Sequence, residues 1–129
     1  MNVIELLSKD RFAAKIGIEI LEAANGHARA QLEIKDEHLN GIDIAQGGAI
    51  FSLADMALAA AANSHGNLAV SLNVSISFLK PAGKGMLFAE AKEISLNNKL
   101  ASYIVNITNV QGALIANAQG MVYRKKETF

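Results

Sequence analysis

The sequence predicts an α+β fold in which about six antiparallel strands wrap around one long central helix, with a short helix ahead of them. Three observations carry that prediction. The segment from Gly48 to about Ser64 (GAIFSLADMALAAAANS) is rich in alanine, the residue that costs least in a helix. On both sides of it apolar residues alternate with polar ones, the period of a half-buried strand. Only this one long helix is available to cover the apolar face of so much sheet, so the sheet must curl around it.

The elements follow in order. Val3 to about Ala14 has the apolar spacing of an amphipathic helix, with Val3, Ile4 and Leu7 on one side and Arg11 and Lys15 elsewhere. Ile16, Ile18 and Ile20 then alternate as a strand. Asn25-Gly26 is the strongest short hairpin signal. It leads into a second strand, where Ala28, Ala30, Leu32 and Ile34 oppose His27, Arg29, Gln31 and Glu33. A polar connection from Lys35 to about Ala45 precedes the long helix. After Ala69 the period is again two: Leu72, Val74, Ile76 and Phe78 on one face, Ser71, Asn73, Ser75 and Ser77 on the other. Lys80-Pro81-Ala82-Gly83 breaks that strand. Three more follow near Met86–Leu96, Leu100–Val110 and Ala113–Arg124, and the last four read as a meander. No linker, repeat or low-complexity stretch divides residues 1–129, which read as one domain.

Composition narrows the function. Twelve basic and twelve acidic side chains cancel, so no global field draws the chain to nucleic acid or an anionic membrane. With no cysteine there is no disulfide, thiolate metal site or cysteine nucleophile, and the three histidines lack metal-like spacing. MNVIELLSKDRF is not a secretory signal, because acidic residues come early and no apolar run precedes a cleavage site. Ile44 to Val70 is nearly uncharged. Its apolar residues are mostly alanine, though, where a lipid span needs about 20 strongly apolar ones. The chain reads as a soluble protein of the cytoplasm.

Between Asp43 and Lys80, Asp55 is the only formally charged side chain. A buried aspartate costs several kcal/mol unless it has partners or takes a proton. One reading is structural, with the backbone or a nearby hydroxyl, such as Ser52 at i−3, as the partner. The other is catalytic and draws on Gln46-Gly47-Gly48, where the helix begins. The first N–H groups of a helix have no intrahelical partner and carry partial positive charge, and glycine lets a ligand come close. A thioester carbonyl aimed at the Gly47 N–H would develop its charge against a fixed donor, worth about 3–4 kcal/mol in a transition state. Gly47 and Asp55 are eight positions apart, which is roughly 12 Å along a helix axis. One helix cannot easily bring both to one carbonyl group. Two antiparallel copies can, each giving its amino terminus to one site and its Asp to the other.

The segment NGIDIAQGGAIFSLADMALAAAANSHG, followed by AVSLNVSISFLKPAGKG, resembles the PaaI-like (phenylacetate-pathway) hot-dog thioesterases, from about Gly17 to Arg124. The most specific part is the glycine pair eight and seven residues before the aspartate in GGxxFSLAD, with A-x-NS-x-G after it. The resemblance implies that the Gly47 N–H polarises the thioester carbonyl and that Asp55 of a partner subunit is general base or nucleophile. It also implies that Asn40 positions substrate or water, and that Ser71 holds the water with the Asp. Gly48 and Asn63 fall among the substrate-side positions. Where the family usually has His, this chain has Gln46, which can hydrogen-bond but cannot titrate near neutral pH. His65 reads as a capping or surface residue.

The function implied is hydrolysis of an aryl-acetyl or short- to medium-chain acyl-CoA to free acid and CoA, with no cofactor or metal. Lys80, Lys84, Lys99 and Arg124-Lys125-Lys126 are the candidate cations for the CoA phosphates. The alternative is a non-catalytic acyl-CoA binder or sensor, which Gln46 keeps open. A hydratase would be expected to carry a His beside a carboxylate, and neither His27 nor His38 sits in such a motif. The implied assembly is a homo-oligomer with sites shared across a dimer interface, paired again into a tetramer.

Overall fold

The computed structural model describes residues 1–129. The amphipathic amino-terminal stretch forms two short helices, α1 (Val3–Leu7) and α2 (Arg11–Ile16), in place of the single predicted one. The break has a local cause. Asp10 stands in extended backbone and caps α2, its carboxylate accepting from the Ala13 N–H at 2.9 Å. A residue in that conformation cannot also continue a helix. Gly17, in left-handed backbone (φ 97°), closes α2 just after Ile16, a residue that alternation assigns to a strand.

Strands β1 (Glu19–Ala24) and β2 (His27–Ile34) form the predicted hairpin. Asn25 and Gly26 both have positive φ, 53° and 78°, the twist that a two-residue hairpin requires. A side chain at Gly26 would also strike Glu93. The long helix is α3 (Gly47–Asn63), and four strands follow it: β3 (Asn67–Phe78), β4 (Gly85–Leu96), β5 (Leu100–Asn109) and β6 (Leu114–Thr128).

All six strands join one antiparallel sheet in the order β1-β2-β4-β5-β6-β3. The predicted four-strand meander is therefore corrected to three, β4-β5-β6. The chain crosses from β3 at one edge to β4 in the centre, because β4 pairs with β2 and welds the hairpin to the meander. Alternation reveals which face of a strand is apolar but not which strand lies beside it.

The inward rows are small and apolar. Ala28, Ala30 and Leu32 on β2 lie opposite Ala91, Ala89 and Leu87 on β4, and all are buried. Ile50, Leu53, Ala54, Ala57, Ala60 and Ala61 of α3 fill the space above them, and small side chains let helix and sheet approach closely. Contact is close at Gly120 of β6, where an added Cβ would lie 2.5 Å from the Leu58 side chain. The opposite face of α3, with Gly48, Phe51, Ser52, Asp55 and Ala59, stays partly open. No helix is long and apolar enough to cross a membrane.

A bulge in β3 changes the reading of one residue. Between Ser71 and Asn73 the register with β6 shifts: Ser71 lies opposite Val122, and Asn73 opposite Met121. Val122 is buried and Met121 exposed, so Ser71 points towards the α3 side while Asn73, Ser75 and Ser77 point away. Ser71 is thus not a rung of that polar face. Bulges commonly re-aim a side chain in this way.

Candidate active site

Two loops meet above the amino terminus of α3. The loop of residues 40–45 winds around the Asn40 side chain, whose Oδ1 accepts from the Ile42 and Ile44 N–H groups at 3.0 and 3.3 Å. The second loop, residues 79–84, joins β3 to β4. The Ala45 N–H donates to the Ala82 carbonyl at 2.7 Å and laces the two together. Between them lies a cavity of about 310 Å3 whose lining includes Asn40, Gly47, Ile50, Phe78 and Lys80. With its carbonyl oxygen held by the loop, Asn40 keeps its NH2 group for whatever enters.

Gly47 is the first residue of α3, and Gln46 is its N-cap. The Gln46 Oε1 accepts from the Gly48 N–H. The Gly47 N–H has no acceptor within the chain. The helix therefore begins with one donor capped and one left open, at a residue of the cavity wall, where the helix dipole adds partial positive charge. An added Cβ on Gly47 would meet Phe78 Cζ at 3.3 Å, so the ring of Phe78 stands over the glycine. Phe78 escapes sequence reasoning because it continues the apolar alternation of β3. Gln46 and Gly48 lie on the other side of the helix end, in a cavity of about 420 Å3 with Phe12, Ile16, Phe51 and Ser52.

His38 positions this turn. It is buried (7% exposed), with Nδ1 accepting from the Lys35 N–H at 2.9 Å and Nε2–H donating to the Ile16 carbonyl at 2.7 Å. Its own carbonyl accepts the Gln46 N–H at 2.8 Å. Through its ring and its backbone carbonyl, one histidine thus ties the end of α2 to the approach to α3. A lone histidine in a polar loop offers no sequence signal for that part.

Asp55 lies two turns along α3 on the partly open face. Ser52 is not its partner: the Ser52 hydroxyl donates to the Gly48 carbonyl at 2.7 Å. The Asp55 carboxylate makes no hydrogen bond within the chain. Burial pushes its pKa up, and the negative charge of Asp10 adds to the shift. Asp10 lines a smaller cavity of about 230 Å3 with Ile4, Leu7, Ile20 and Met56, beside Asp55. Neither Gly47 nor Asn40 is brought to Asp55: it lines none of the three cavities described.

The remaining candidates are dispersed. Asn63 sits at the far end of α3, 4% exposed, with its amide committed to the backbone. It donates to the Ala59 carbonyl at 2.8 Å and accepts from the Ala69 N–H at 2.9 Å, tying the helix end to β3. In this chain the Asn63 amide therefore serves the backbone at the end of α3. Lys84 is ion-paired with Asp36, whereas Lys80 is exposed on the cavity wall. Lys99 lies at the opposite end of the sheet, with Arg124, Lys125 and Lys126. His65 is neither cap nor free surface residue. Its Nε2 lies 2.7 Å from Glu93, which also accepts from the Tyr103 hydroxyl at 2.7 Å, while Ser64 caps α3.

Residues 44–116 match the family model of the thioesterase superfamily. This chain belongs to that superfamily. The Escherichia coli acyl-coenzyme A thioesterase PaaI is 33% identical over 124 residues, 95% of this chain and 89% of the relative. The solved E. coli PaaI, a protein of the phenylacetic acid degradation operon, superposes with a TM-score of 0.94 over 98% of this chain and 93% of its own. A protein of Archaeoglobus fulgidus, provisionally named an esterase, is 45% identical over 96% of this chain and 81% of the relative. A Streptococcus mutans protein solved with acetyl CoA bound is 25% identical, with a TM-score of 0.83 over 88% and 92%. The thioesterase has the hot-dog fold, its six strands curled around α3.

Proposed function

We propose that this thioesterase hydrolyses acyl-CoA at sites shared between two protomers, with the Gly47 N–H as oxyanion donor and Asp55 of the partner as base or nucleophile. The observation that carries the reading is the open Gly47 N–H at a cavity, next to a Gly48 N–H that Gln46 has already capped. A donor with no acceptor of its own is preorganised for charge that develops elsewhere. The acetyl CoA held by the Streptococcus mutans relative supports the substrate class.

The partner follows from what one protomer leaves unfinished. Asp55 and Gly47 are roughly 12 Å apart along the axis of α3, and β3 is an open edge with Val70, Leu72 and Phe78 exposed. A second β3 laid antiparallel along that edge removes it. The two α3 helices then run antiparallel with their Asp55 faces together, and each Asp55 is carried towards the other's Gly47. Further pairing into a tetramer, and a location in the cytoplasm, where CoA thioesters are made, belong to the same reading.

In the reaction the thioester carbonyl points at the Gly47 N–H, and the Asn40 NH2 helps to hold it. The Asp55 carboxylate takes a proton from the attacking water, or attacks the carbonyl itself to form, once the thiol has left, an acyl–Asp55 anhydride that water then hydrolyses to the free acid. Ser71, on the α3 side of β3, holds that water. The tetrahedral intermediate collapses with loss of the CoA thiol, which takes up a proton. General-base help accounts for about 10²–10⁴-fold, and the oxyanion site and positioning supply the rest. Gln46 acts through orientation, by fixing the Gly48 donor so that Gly47 alone faces the carbonyl. This gives the glutamine a part that needs no titration, and so weakens the case for a mere binder.

The test is CoA release from a panel of aryl-acetyl and straight-chain acyl-CoAs, comparing wild type with folded Asp55→Asn. Turnover that falls at least 10²-fold in the variant supports the reading and reveals the acyl preference. Binding without turnover in either protein would mean a sensor, and equal turnover in both would remove Asp55 from the chemistry.

A further inference from the structure

The cavity of about 230 Å3 beside Asp55 has no part in the reaction as drawn. Its apolar wall comes from Ile4 and Leu7 of α1, Ile18 just after α2, Ile20 of β1 and Met56 of α3. Leu7, Ile18 and Ile20 rest against the core, and Ile4, 40% exposed, stands at the rim. Met56 directly follows Asp55 in α3, so the cavity lies within one residue of the aspartate. Asp10, in the same wall, is close enough for its charge to act on Asp55. The only charged side chains in that wall are Asp10 and Glu19, both acidic. The cavity beside Gly48 is less apolar, since its wall carries Glu37, His38, Gln46 and Ser52.

We propose that this cavity takes the acyl group of the thioester that Asp55 attacks, and that the group is uncharged, apolar and of about six to eight carbons. The inference rests on the shared-site reading above and deepens it. The acyl chain is bonded to the carbonyl carbon, so wherever Asp55 or its water attacks, the chain starts beside Asp55. The apolar space there belongs to the protomer that supplies Asp55, not to the one whose Gly47 N–H holds the carbonyl oxygen. One subunit then fixes the carbonyl and the other measures what is attached to it. An apolar cavity of about 150 Å3 takes up a benzene molecule. The larger volume here has room for a ring with a carbon or two of linker, or for a straight chain of similar bulk. A terminal carboxylate would meet Asp10 and Glu19 with no cation in the wall to receive it, so dicarboxylic acyl groups are turned away. The two amino-terminal helices thus act as the gauge of the acyl group.

The test measures kcat/KM over straight-chain substrates from acetyl-CoA to dodecanoyl-CoA, with phenylacetyl-CoA and glutaryl-CoA beside them. In the wild type it should rise about fourfold per methylene and level off near octanoyl-CoA. Ile4→Trp fills the cavity from its exposed rim and Leu7→Ala enlarges it. Ile4→Trp should lower octanoyl- and phenylacetyl-CoA turnover by at least about 10-fold and leave acetyl-CoA unchanged, while Leu7→Ala should carry the rise to longer chains. Indifference to chain length in the wild type, an equal effect of both variants on every substrate, or glutaryl-CoA turned over as well as pentanoyl-CoA overturns the inference. A tag-purified heterodimer of Ile4→Trp with Asp55→Asn assigns the cavity to a subunit. Its one competent site takes Asp55 from the Ile4→Trp chain and Gly47 from the Asp55→Asn chain. The preference of the Ile4→Trp homodimer places the acyl group on the Asp55 side, and a wild-type preference contradicts that. Calorimetry with the S-ethyl and S-octyl thioethers of CoA needs no turnover. The octyl thioether should bind more tightly than the ethyl to wild type, and the advantage should vanish in Ile4→Trp. If both proteins bind the two thioethers alike, the cavity fails on its own account, and if Asp55→Asn keeps full activity, the catalytic reading fails instead.

Discussion

At Asp55, two influences raise the carboxyl pKa: burial first, then the negative charge of Asp10. The proposed base must be ionised to work, so activity should fall as pH drops through the raised value. Asp10 owes its position to a helix cap, since its carboxylate holds the Ala13 N–H. Asparagine is as good a cap and carries no charge. Asp10→Asn is therefore expected to leave α2 in place and to move the acidic limb of the kcat/KM profile to lower pH. An unmoved limb in a folded variant would show that Asp10 does not act on the group that sets the limb. The Asp10 contribution is invisible in the sequence, because 45 positions separate it from Asp55 and only the fold of α1 and α2 joins them.

Among the elements, α3 and the first hairpin are the parts most legible in the sequence, each for a local reason. Alanine content marks the helix, and Asn25-Gly26 can take the two positive φ values that the turn needs. Strand neighbours are not legible, because the same alternation suits β3 beside β4 or beside β6. The bulge at Ser71 is hidden for a related reason. The polar-apolar alternation runs unbroken from Ser71 to Phe78, while the backbone slips by one residue against β6. Of the candidate site, Gly47, Asn40 and Lys80 are found together at one cavity. Asn63 belongs to the far end of the helix, since a sequence pattern does not distinguish a buried amide that binds backbone from one that binds substrate. The closeness of α3 to the sheet also makes a prediction. Gly120→Ala would drive a methyl group into Leu58, itself 1% exposed with little room to yield. The expected cost is about 1–3 kcal/mol of stability, read from the denaturant midpoint. An unchanged midpoint would mean that helix and sheet are less tightly joined there.

At the scale of the whole molecule, what matters is what the protomer lacks. Its helix presents an open N–H at one end and a carboxylate two turns away, and its sheet ends in an open, partly apolar edge. The proposed two-fold partner would answer both at once. Complementation between two inactive chains tests this directly. Gly47→Pro removes the open N–H at the first helical position, where the backbone suits proline because Gln46 before it is already extended (ψ 136°), and the exposed Phe78 ring must move aside for the new side chain. Its kcat should fall by about 10²–10³-fold, and Asp55→Asn should be similarly impaired. A mixed dimer of the two has one site with both defects and one with neither. Co-refolding equal amounts should therefore restore about a quarter of wild-type activity if protomers pair at random across a two-fold interface. No recovery, in a sample shown by tags to contain the mixed dimer, would contradict a site shared between protomers.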